Sequence, residues 1–155
     1  MKLIKYKSNH IDEVAQLFYN TVHSVNSKDY SEDELNAWAS GTINKTVWNN
    51  SFLEHNSIIA TENELIVGFG DMSISGYLDR LYVHKDYQRQ GIATDILNKL
   101  EKTLEKIGVT KFTTYASITA KPFFEAMGYV VIQKNIVIRN DIQLLNYKME
   151  KCKIN

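Results

Sequence analysis

The amino-acid sequence predicts a mixed α/β fold, with a sheet of about seven strands flanked by four or five helices in one domain, 1–155. Apolar residues recur at helical spacing near the N-terminus and again after Gly91, whereas the residues from 57 to 84 follow the period of strands. A strand, a helix and another strand also follow one another between Tyr77 and Tyr115, among predicted hairpins. A parallel crossover among antiparallel strands indicates a mixed sheet with helices on both faces.

The N-terminal segment predicts a strand followed by a long helix. Residues 2–6 alternate enough to form the strand, and Ser8 or Asn9 is expected to cap the helix. The helix is expected to face the core, because it carries one apolar stripe. The stripe consists of Ile11, Val14, Ala15, Phe18, Val22 and Val25.

Two shorter helices are expected next. Ser31 and Glu34 have the spacing of a capping box, in which the serine bonds the N–H of residue 34 and the glutamate reaches back. This helix is predicted to run to about Ser40 and to end at Gly41. Residues 44–54 add another helical piece.

The remainder of the chain predicts six strands and two helices. The expected strands are 57–61, 65–74, 77–84, 109–115, 129–138 and 142–149, and the expected helices are 91–108 and 119–127. Gly68 and Gly70 lie inside the second of these strands, where they indicate either a bulge or a close approach of another element. Pro122 falls in the first turn of its helix, where the missing N–H costs nothing.

The junction at Gly91 is suited to a phosphate. A strand ends, a short polar loop follows, and a helix begins, which leaves helix N–H groups without partners next to the positive end of the helix dipole. Gly91 and Ala93 are small, so a phosphate can approach the backbone. The nucleotide-triphosphate loop and the dinucleotide fingerprint both fail here, because no Gly-Lys pair occurs and only one of three glycines is present.

The loop 88–93, Gln-Arg-Gln-Gly-Ile-Ala, resembles the Gln/Arg-x-x-Gly-x-Gly/Ala pattern of the GNAT N-acetyltransferase superfamily. The preceding Leu-Tyr-Val strand also fits, and Ala120, Phe123, Phe124, Gly128 and Tyr129 match a second block of that family. The resemblance spans residues 58–149. The run 117–125, together with Tyr30, Ser31, Leu35, Ala37 and Trp38, is similar to the YafP-like bacterial subgroup.

The resemblance implies the acyl-CoA N-acyltransferase fold and acetyl-CoA as the acyl donor, with no metal. In this family the loop holds the diphosphate and the preceding strand pairs with the pantetheine arm. The implied cofactor-binding residues are Leu81, Tyr82, Val83, Gln88, Arg89, Gln90, Gly91, Ile92, Ala93, Thr94, Ser117, Ala120, Phe123 and Phe124.

Catalysis of acetyl transfer requires a group that takes the proton of the incoming ammonium. Many relatives have a glutamate where this chain has Tyr77, and Asp79 is the nearest carboxylate expected on the same face of the strand, together with Leu81 and Val83. Asp79 is therefore predicted to orient or deprotonate the amine. An exposed aspartate paired with Arg80 or Lys85 is an equally good interpretation. The acceptor site is expected to be walled by Tyr30, Trp38, Tyr77 and Asp79.

The family's usual acid is a tyrosine, and this chain has Phe124 at that position. Phe124 cannot donate a proton. Either Ser117, Tyr115 or Tyr147 protonates the leaving thiolate, or the thiolate leaves unprotonated. Ser117 stands where many relatives have an asparagine that contacts the cofactor, and it could instead cap a helix.

Composition excludes several functions. Eighteen basic residues balance eighteen acidic ones, which argues against a nucleic-acid partner and against an anionic membrane. Neither a signal-peptide core nor an apolar stretch of membrane-spanning length occurs, so a cytoplasmic location is expected. The four histidines lack metal-ligand spacing and are interpreted as solvated or incidental.

The sequence therefore predicts an acetyl-CoA-dependent N-acetyltransferase in which a primary amine attacks directly within a ternary complex. The alternative is a regulatory module that binds acyl-CoA without turnover, and the missing tyrosine favours it. A toxin that acetylates aminoacyl-tRNA would need a basic groove, and the balanced charge argues against one. The acceptor, a small molecule or a peptide amine, and the oligomeric state, with a homodimer as one option, stay open.

Overall fold

The computed structural model describes residues 1–153, which form a mixed seven-stranded sheet in the order β1-β2-β3-β4-β5-β7-β6 with five α-helices on its faces. The strands are β1 (Lys2–Lys5), β2 (Asn56–Glu62), β3 (Leu65–Met72), β4 (Tyr77–Val83), β5 (Lys111–Ser117), β6 (Val130–Arg139) and β7 (Ile142–Cys152). The helices are α1 (Ile11–Ser24), α2 (Glu32–Trp38), α3 (Lys45–Glu54), α4 (Ile92–Glu105) and α5 (Lys121–Ala126). The predicted fold class is confirmed. Across residues 1–153 no helix has the length and apolar character that crossing a membrane requires.

The capping box of α2 is present as predicted. Ser31 Oγ accepts from the N–H of Glu34, and the Glu34 carboxylate accepts from the N–H of Ser31. The helix ends at Trp38, earlier than predicted, because Ala39 leaves helical geometry at φ −132° and ψ 86°. The expected cap of α1 was wrong: residues 8–10 form a 3₁₀ turn, in which the N–H of His10 donates to the Lys7 carbonyl, and α1 begins after His10 without a side-chain cap.

Gly68 and Gly70 of β3 allow α4 to lie close to the sheet. A Cβ on Gly70 would lie 2.9 Å from Ile96 Cγ2, and a Cβ on Gly68 would lie 3.1 Å from Ile92 Cγ2. Any larger residue would push the helix away from the sheet. Both predicted interpretations are observed, because Val67, next to Gly68, is also the extra residue of a bulge in β3 against β2.

The sheet separates two apolar cores. One packs under α4 and α5, with Leu78, Val83, Ile96 and Phe112 among its buried side chains. The other packs under α1, α2 and α3 and is rich in aromatic rings. Helices thus cover both faces, as the crossover between β4 and β5 predicts.

The strands β4 and β5 are paired along a short stretch only. Their parallel register joins Tyr77 to Thr113 and Leu78 to Thr114, and the Thr114 hydroxyl donates to the Leu78 carbonyl. Beyond this point the strands diverge, so β4 has a partner strand only on its β3 side. The divergence opens the centre of the sheet.

Candidate active site

A cleft of about 290 Å³ lies where β4 and β5 diverge, next to the N-terminus of α4. Thirteen of the fourteen residues predicted to bind the cofactor line it, namely Leu81, Tyr82, Val83, Gln88, Arg89, Gly91, Ile92, Ala93, Thr94, Ser117, Ala120, Phe123 and Phe124. Gln90 is the exception and is exposed. Tyr87 and Thr119 also line it, and three residues on and just after α1, Thr21, Val25 and Asn26, complete the wall. Sequence reasoning missed these three, because they lie more than fifty residues from the loop.

The turn before α4 is open to the cleft. Gly91 has φ +81°, a conformation that favours glycine, and no heavy atom lies within 4 Å of the position that a Cβ would take. The free N–H groups and positive dipole end of this 14-residue helix suit an anion. Gln88 donates through Nε2 to the Val83 carbonyl at 2.6 Å, which fixes the loop on the end of β4.

A second cavity of about 730 Å³ lies on the α2 and α3 side of the sheet. Aromatic and polar side chains contribute equally to its walls, and five aliphatic residues complete them. The aromatic residues are Phe18, Tyr30, Trp38, Trp48, Tyr77, Tyr82 and Tyr115, and the polar ones are Ser51, Asp79, Arg80, Ser117, Asn135, Arg139 and Asn146. Tyr82 and Ser117 line both cavities, so the cleft and the second cavity adjoin at the gap between β4 and β5.

A β-bulge in β4 changes the predicted distribution of side chains. Leu78 pairs with Met72 and Arg80 pairs with Asp71, so Asp79 is an extra residue without its own partner. The predicted grouping of Asp79 with Leu81 and Val83 was therefore wrong. Leu81 and Val83 pack in the α4 core together with Leu78. The second cavity is lined by Tyr77, Asp79, Arg80 and Tyr82.

Burial changes the acidity of two groups in this cavity. It raises the pKa of the Asp79 carboxyl, and the nearby Arg80 opposes the rise. The Arg80 contact is loose, at 3.6 Å, and Asp79 remains 36% exposed. Burial, reinforced by Asp79, raises the pKa of Tyr77 to about 12, so this phenol is protonated at neutral pH. Tyr77 is therefore a hydrogen-bond donor, whereas Asp79 is the carboxylate available to accept a proton.

Arg80 belongs to a buried polar network that sequence reasoning missed. Its Nε lies 2.9 Å and its Nη2 2.5 Å from the two oxygens of the fully buried Asp71, and Nη2 also donates to Ser51. The guanidinium lies 4.0 Å from the Phe52 ring centroid and 4.8 Å from that of Trp48. A lone aspartate inside the apolar strand β3 was the available signal, because a buried charge needs a partner.

The histidines are not incidental, contrary to expectation, since the His10 and His84 rings accept from the N–H groups of Lys7 and Asp86, and His55 and His23 have partners in other elements. His55 Nδ1 lies 2.7 Å from Asp71 Oδ2, and this hydrogen bond raises the pKa of His55 against the effect of burial. His23 Nε2 lies 2.7 Å from the Ala39 carbonyl. The side-chain nitrogen of His55 and the carboxylate oxygens of Asp71 and Asp79, which are potential metal ligands, lie within 4.8 Å of one another. Arg80 donates to both oxygens of Asp71, so its guanidinium already supplies the positive charge that a metal ion would otherwise provide.

Tyr30 and Trp38 both line the second cavity, in edge-to-face contact with ring centroids 5.3 Å apart. The Tyr30 hydroxyl donates to the Leu145 carbonyl at 2.7 Å and accepts from the Ile118 N–H at 2.9 Å. Tyr30 thus presents its ring to the cavity, while its hydroxyl holds the chain after β5 against β7. Trp38 also lies next to Tyr82, with ring centroids 6.5 Å apart, and burial raises the pKa of Tyr82.

Ser117 is the predicted proton donor that lies best between the two cavities. Its Oγ accepts from the Ala120 N–H at 3.0 Å and from Asn26 Nδ2 at 3.4 Å. Because two donors point at this oxygen, its own hydrogen is free to donate elsewhere. Tyr115 lines the second cavity, whereas Tyr147 lines neither and packs against Lys121. Phe124 is buried against Phe123 and Tyr129.

Comparison with known proteins gives concordant matches. The model of the acetyltransferase (GNAT) domain matches residues 26–151. An Escherichia coli (strain K12) protein described as the uncharacterized N-acetyltransferase YafP is 29% identical over 149 residues, which cover 96% of this chain and 94% of that protein. The expected family and the expected likeness to YafP are both confirmed.

Solved structures agree. A GCN5-related N-acetyltransferase from Rhodopseudomonas palustris superposes with a TM-score of 0.93 and 31% identity, over 97% of this chain and 94% of that one. PaiA N-acetyltransferase from Thermoplasma acidophilum, solved in complex with coenzyme A, superposes with a TM-score of 0.81 and 17% identity, over 97% of this chain and 98% of that one. At that identity the second likeness establishes the fold alone.

Proposed function

The chain belongs to the GNAT acetyltransferase family, and from this membership we propose that it transfers the acetyl group of acetyl-CoA to a primary amine by direct attack in a ternary complex. The observation that carries the proposal is the junction of the two cavities at Tyr82 and Ser117. One cavity offers an open helix N-terminus for a diphosphate, and the other offers a carboxylate among aromatic rings. The chain is proposed to act as one domain, 1–155, in the cytoplasm, without a nucleic-acid or membrane partner; a homodimer stays an option.

The residues of the cleft fit acetyl-CoA. The main chain from Gln88 to Thr94 would hold the diphosphate, because no side chain covers the turn at Gly91. The free side of Leu81 to Val83 would pair with the amide-bearing arm, since β5 has already diverged there. When bound, acetyl-CoA supplies an acetyl thioester, the group that the amine attacks.

Asp79, Tyr77 and Ser117 are proposed to manage the protons. Asp79 accepts the proton of the acceptor's ammonium, directly or through water, since burial makes its carboxylate a stronger base than an ordinary aspartate. Tyr77 stays protonated and orients the amine by donation to its neighbours. The C–N bond forms at the thioester carbonyl and the C–S bond then breaks. The Ser117 hydroxyl hydrogen-bonds the departing sulfur, or protonates it and regains its proton from the nitrogen of the acceptor. Tyr30 and Trp38 are proposed to bind the body of the acceptor.

Isothermal titration calorimetry with acetyl-CoA tests the cofactor site. Gly91→Trp is expected to abolish binding, because the indole would cover the helix N-terminus. Gly108→Trp is the matched control: Gly108 follows the other end of α4, has φ +94° and also has no heavy atom within 4 Å of a Cβ position. Both substitutions carry the same backbone strain, so equal binding by the two variants would contradict the assignment.

A non-catalytic acyl-CoA-binding module is the second candidate, and Phe124 at the position of the family's tyrosine is the observation that favours it. A thiol-release assay across a panel of primary amines separates the two. Release that depends on the amine supports the enzyme. Binding of acetyl-CoA without such release for any amine in the panel would support the module.

A further inference from the structure

Two asparagines form a polar row on the wall of the second cavity, where the acceptor is proposed to bind. Asn146 of β7 lies opposite Ser117 of β5 on one side and opposite Asn135 of β6 on the other. Asn135 Nδ2 donates to Asn146 Oδ1 at 2.9 Å. Both side chains are half-buried and line the cavity. The row therefore leads from the junction of the two cavities, at Ser117, to the edge strand β6.

The asparagine pair leaves hydrogen-bonding capacity unused. Each carboxamide has one carbonyl oxygen and one NH₂ group, and one mutual hydrogen bond satisfies a single donor and a single acceptor. Within residues 1–153 the two side chains have no other protein partner, and neither is among the buried unsatisfied groups. Asn135 Oδ1 and Asn146 Nδ2 thus present an acceptor and a donor to the cavity. Were the pair reversed, one carbonyl and one NH₂ would still remain free.

An adjacent donor and acceptor complement an amide group, which carries both a carbonyl and an N–H. The surrounding wall is aromatic and aliphatic, with Trp38, Trp48 and Val137 among its residues. These residues provide shape and apolar contact but little polar recognition. Of the neutral polar side chains in this cavity, Ser51 bonds Arg80 and Ser117 lies at the junction with the cleft, which leaves the asparagine pair to distinguish one acceptor from another.

The base available in the cavity also favours one class of amine. A free α-amino group has a pKa of roughly 7.7–8.0, whereas a lysine side chain has one of about 10.4. A carboxylate such as Asp79 is a weak base for an ammonium of high pKa. An α-amine is already partly neutral near pH 7 and makes a smaller demand on the base.

Building on the proposed function, we infer that the acceptor is an α-amine beside an amide, that is, a peptide N-terminus or an amino-acid amide, and that Asn135 and Asn146 bind this amide. The asparagines are specificity-determining residues, while the amine itself lies near Asp79. When an analogue lacks the amide N–H, the acceptor oxygen that the site offers is left without a donor and binding is penalised, so close analogues are discriminated.

Three acceptors test the inference: phenylalaninamide, phenylalanine methyl ester, which keeps the carbonyl but lacks the amide N–H, and 2-phenylethylamine, which lacks both. We expect the wild-type kcat/KM to be at least about tenfold higher for the amide than for the ester, with 2-phenylethylamine lowest. Asn135→Leu should bring the ratio of amide to ester close to one. Asn135→Asp retains an acceptor oxygen and should retain the preference.

Gln143→Leu is the matched control, because Gln143 is exposed on the same hairpin and does not line the cavity. It should keep the wild-type ratios. An equal preference in wild type and Asn135→Leu, or no preference for the amide in wild type, would overturn the inference while leaving the acetyltransferase intact. Failure of all three amines to release thiol, despite binding of acetyl-CoA, would instead count against the proposed function.

Discussion

Asp79 and Tyr77 share a cavity, and burial has a different consequence for each. In both groups burial disfavours the charged form and raises the pKa. For the phenol this ensures a neutral donor, and for the carboxylate it strengthens the base. One physical cause therefore separates a donor from an acceptor of protons on the same strand.

The pH profile of kcat tests the role of Asp79. We expect kcat to fall at acid pH through a pKa above 3.8, the ordinary value, because the carboxylate must be ionised to accept a proton. Asp79→Asn should lower kcat at neutral pH by roughly 10²-fold and remove this acid limb. An Asp79→Asn variant with wild-type kcat would show that Asp79 is not the base.

Ser117 gives a second test at the same scale. Ser117→Ala should lower kcat by about tenfold or more with a smaller effect on the affinity for acetyl-CoA, because the hydroxyl is proposed to act on the departing sulfur. Ser117→Thr keeps a hydroxyl and should restore part of the rate. If Thr and Ala variants are equally slow, the serine contributes through packing and through its bond to the Ala120 N–H.

Residues differ in how far their roles can be predicted. The open turn at Gly91 was predictable because it depends on a local strand, turn and helix, all formed by consecutive residues. The Asp71, Arg80 and His55 network was not, because its members come from three elements. The asparagine row also escaped prediction, since it requires the register across β5, β7 and β6.

At the scale of elements, the Arg80 side chain links α3, β3 and β4. Its guanidinium binds Asp71 of β3, bonds Ser51 of α3 and lies over the Phe52 ring. A buried ion pair is weak evidence for net stability, but breaking one partner leaves a charge without compensation. These contacts of Arg80 fix the position of the bulge at Asp79, the preceding residue.

Replacement of Arg80 is expected to lower the stability of the fold. Arg80→Met should lower the free energy of unfolding by about 3–5 kcal/mol, because Asp71 has no exposed surface. The double variant Asp71→Asn with Arg80→Met should lose less than Arg80→Met alone. Urea denaturation measures all three, and Arg139→Met, at an exposed site, serves as the control. A decrease of under 1 kcal/mol in the free energy of unfolding of Arg80→Met would contradict the role of the Arg80–Asp71 pair in linking these elements.

His55 makes stability depend on pH in a defined direction. Its folded pKa is raised above 6.5, so its contribution is complete below pH 6.5 and is lost as pH rises through the folded pKa. The free energy of unfolding should therefore fall across that interval in wild type. His55→Gln should show a flatter profile there. Parallel profiles for the two proteins would contradict the bond to Asp71.

The bulge shows where prediction of elements stopped. Hydrophobic alternation indicated β4 within one residue of its observed end, yet strict alternation assigned Leu81 and Val83 to the wrong face. One extra residue reverses the pattern after it. Such an insertion depends on the partner strand, and β4 alone carries no sign of it.

At the scale of the whole molecule, the sheet consists of β1–β4 and β5–β7 joined at two residue pairs. The crossover and the hairpins predicted most of this order. The position of β7 between β5 and β6 was not predicted, because a hairpin can present either strand to its neighbour.

Hydrogen exchange tests the open gap. With saturating acetyl-CoA, the amides of residues 79–83 that face β5 should exchange at least about tenfold more slowly, since a bound ligand would give them acceptors. Amides of β3, which already lies between two strands, should change much less. Unchanged exchange at residues 79–83 would mean that the arm of the ligand does not run along β4.

The sheet is divided where β4 and β5 separate. Deformation of the sheet concentrates at the last paired residues, Leu78 and Thr114, where the Thr114 hydroxyl holds the Leu78 carbonyl. A small rotation of β4 relative to β5 about these residues would be magnified with distance, so the largest change in separation is expected between Val83 and Ser117. The free ends of β4 and β5 would therefore separate widely to admit a long, narrow ligand and close around it, with little strain at the paired residues.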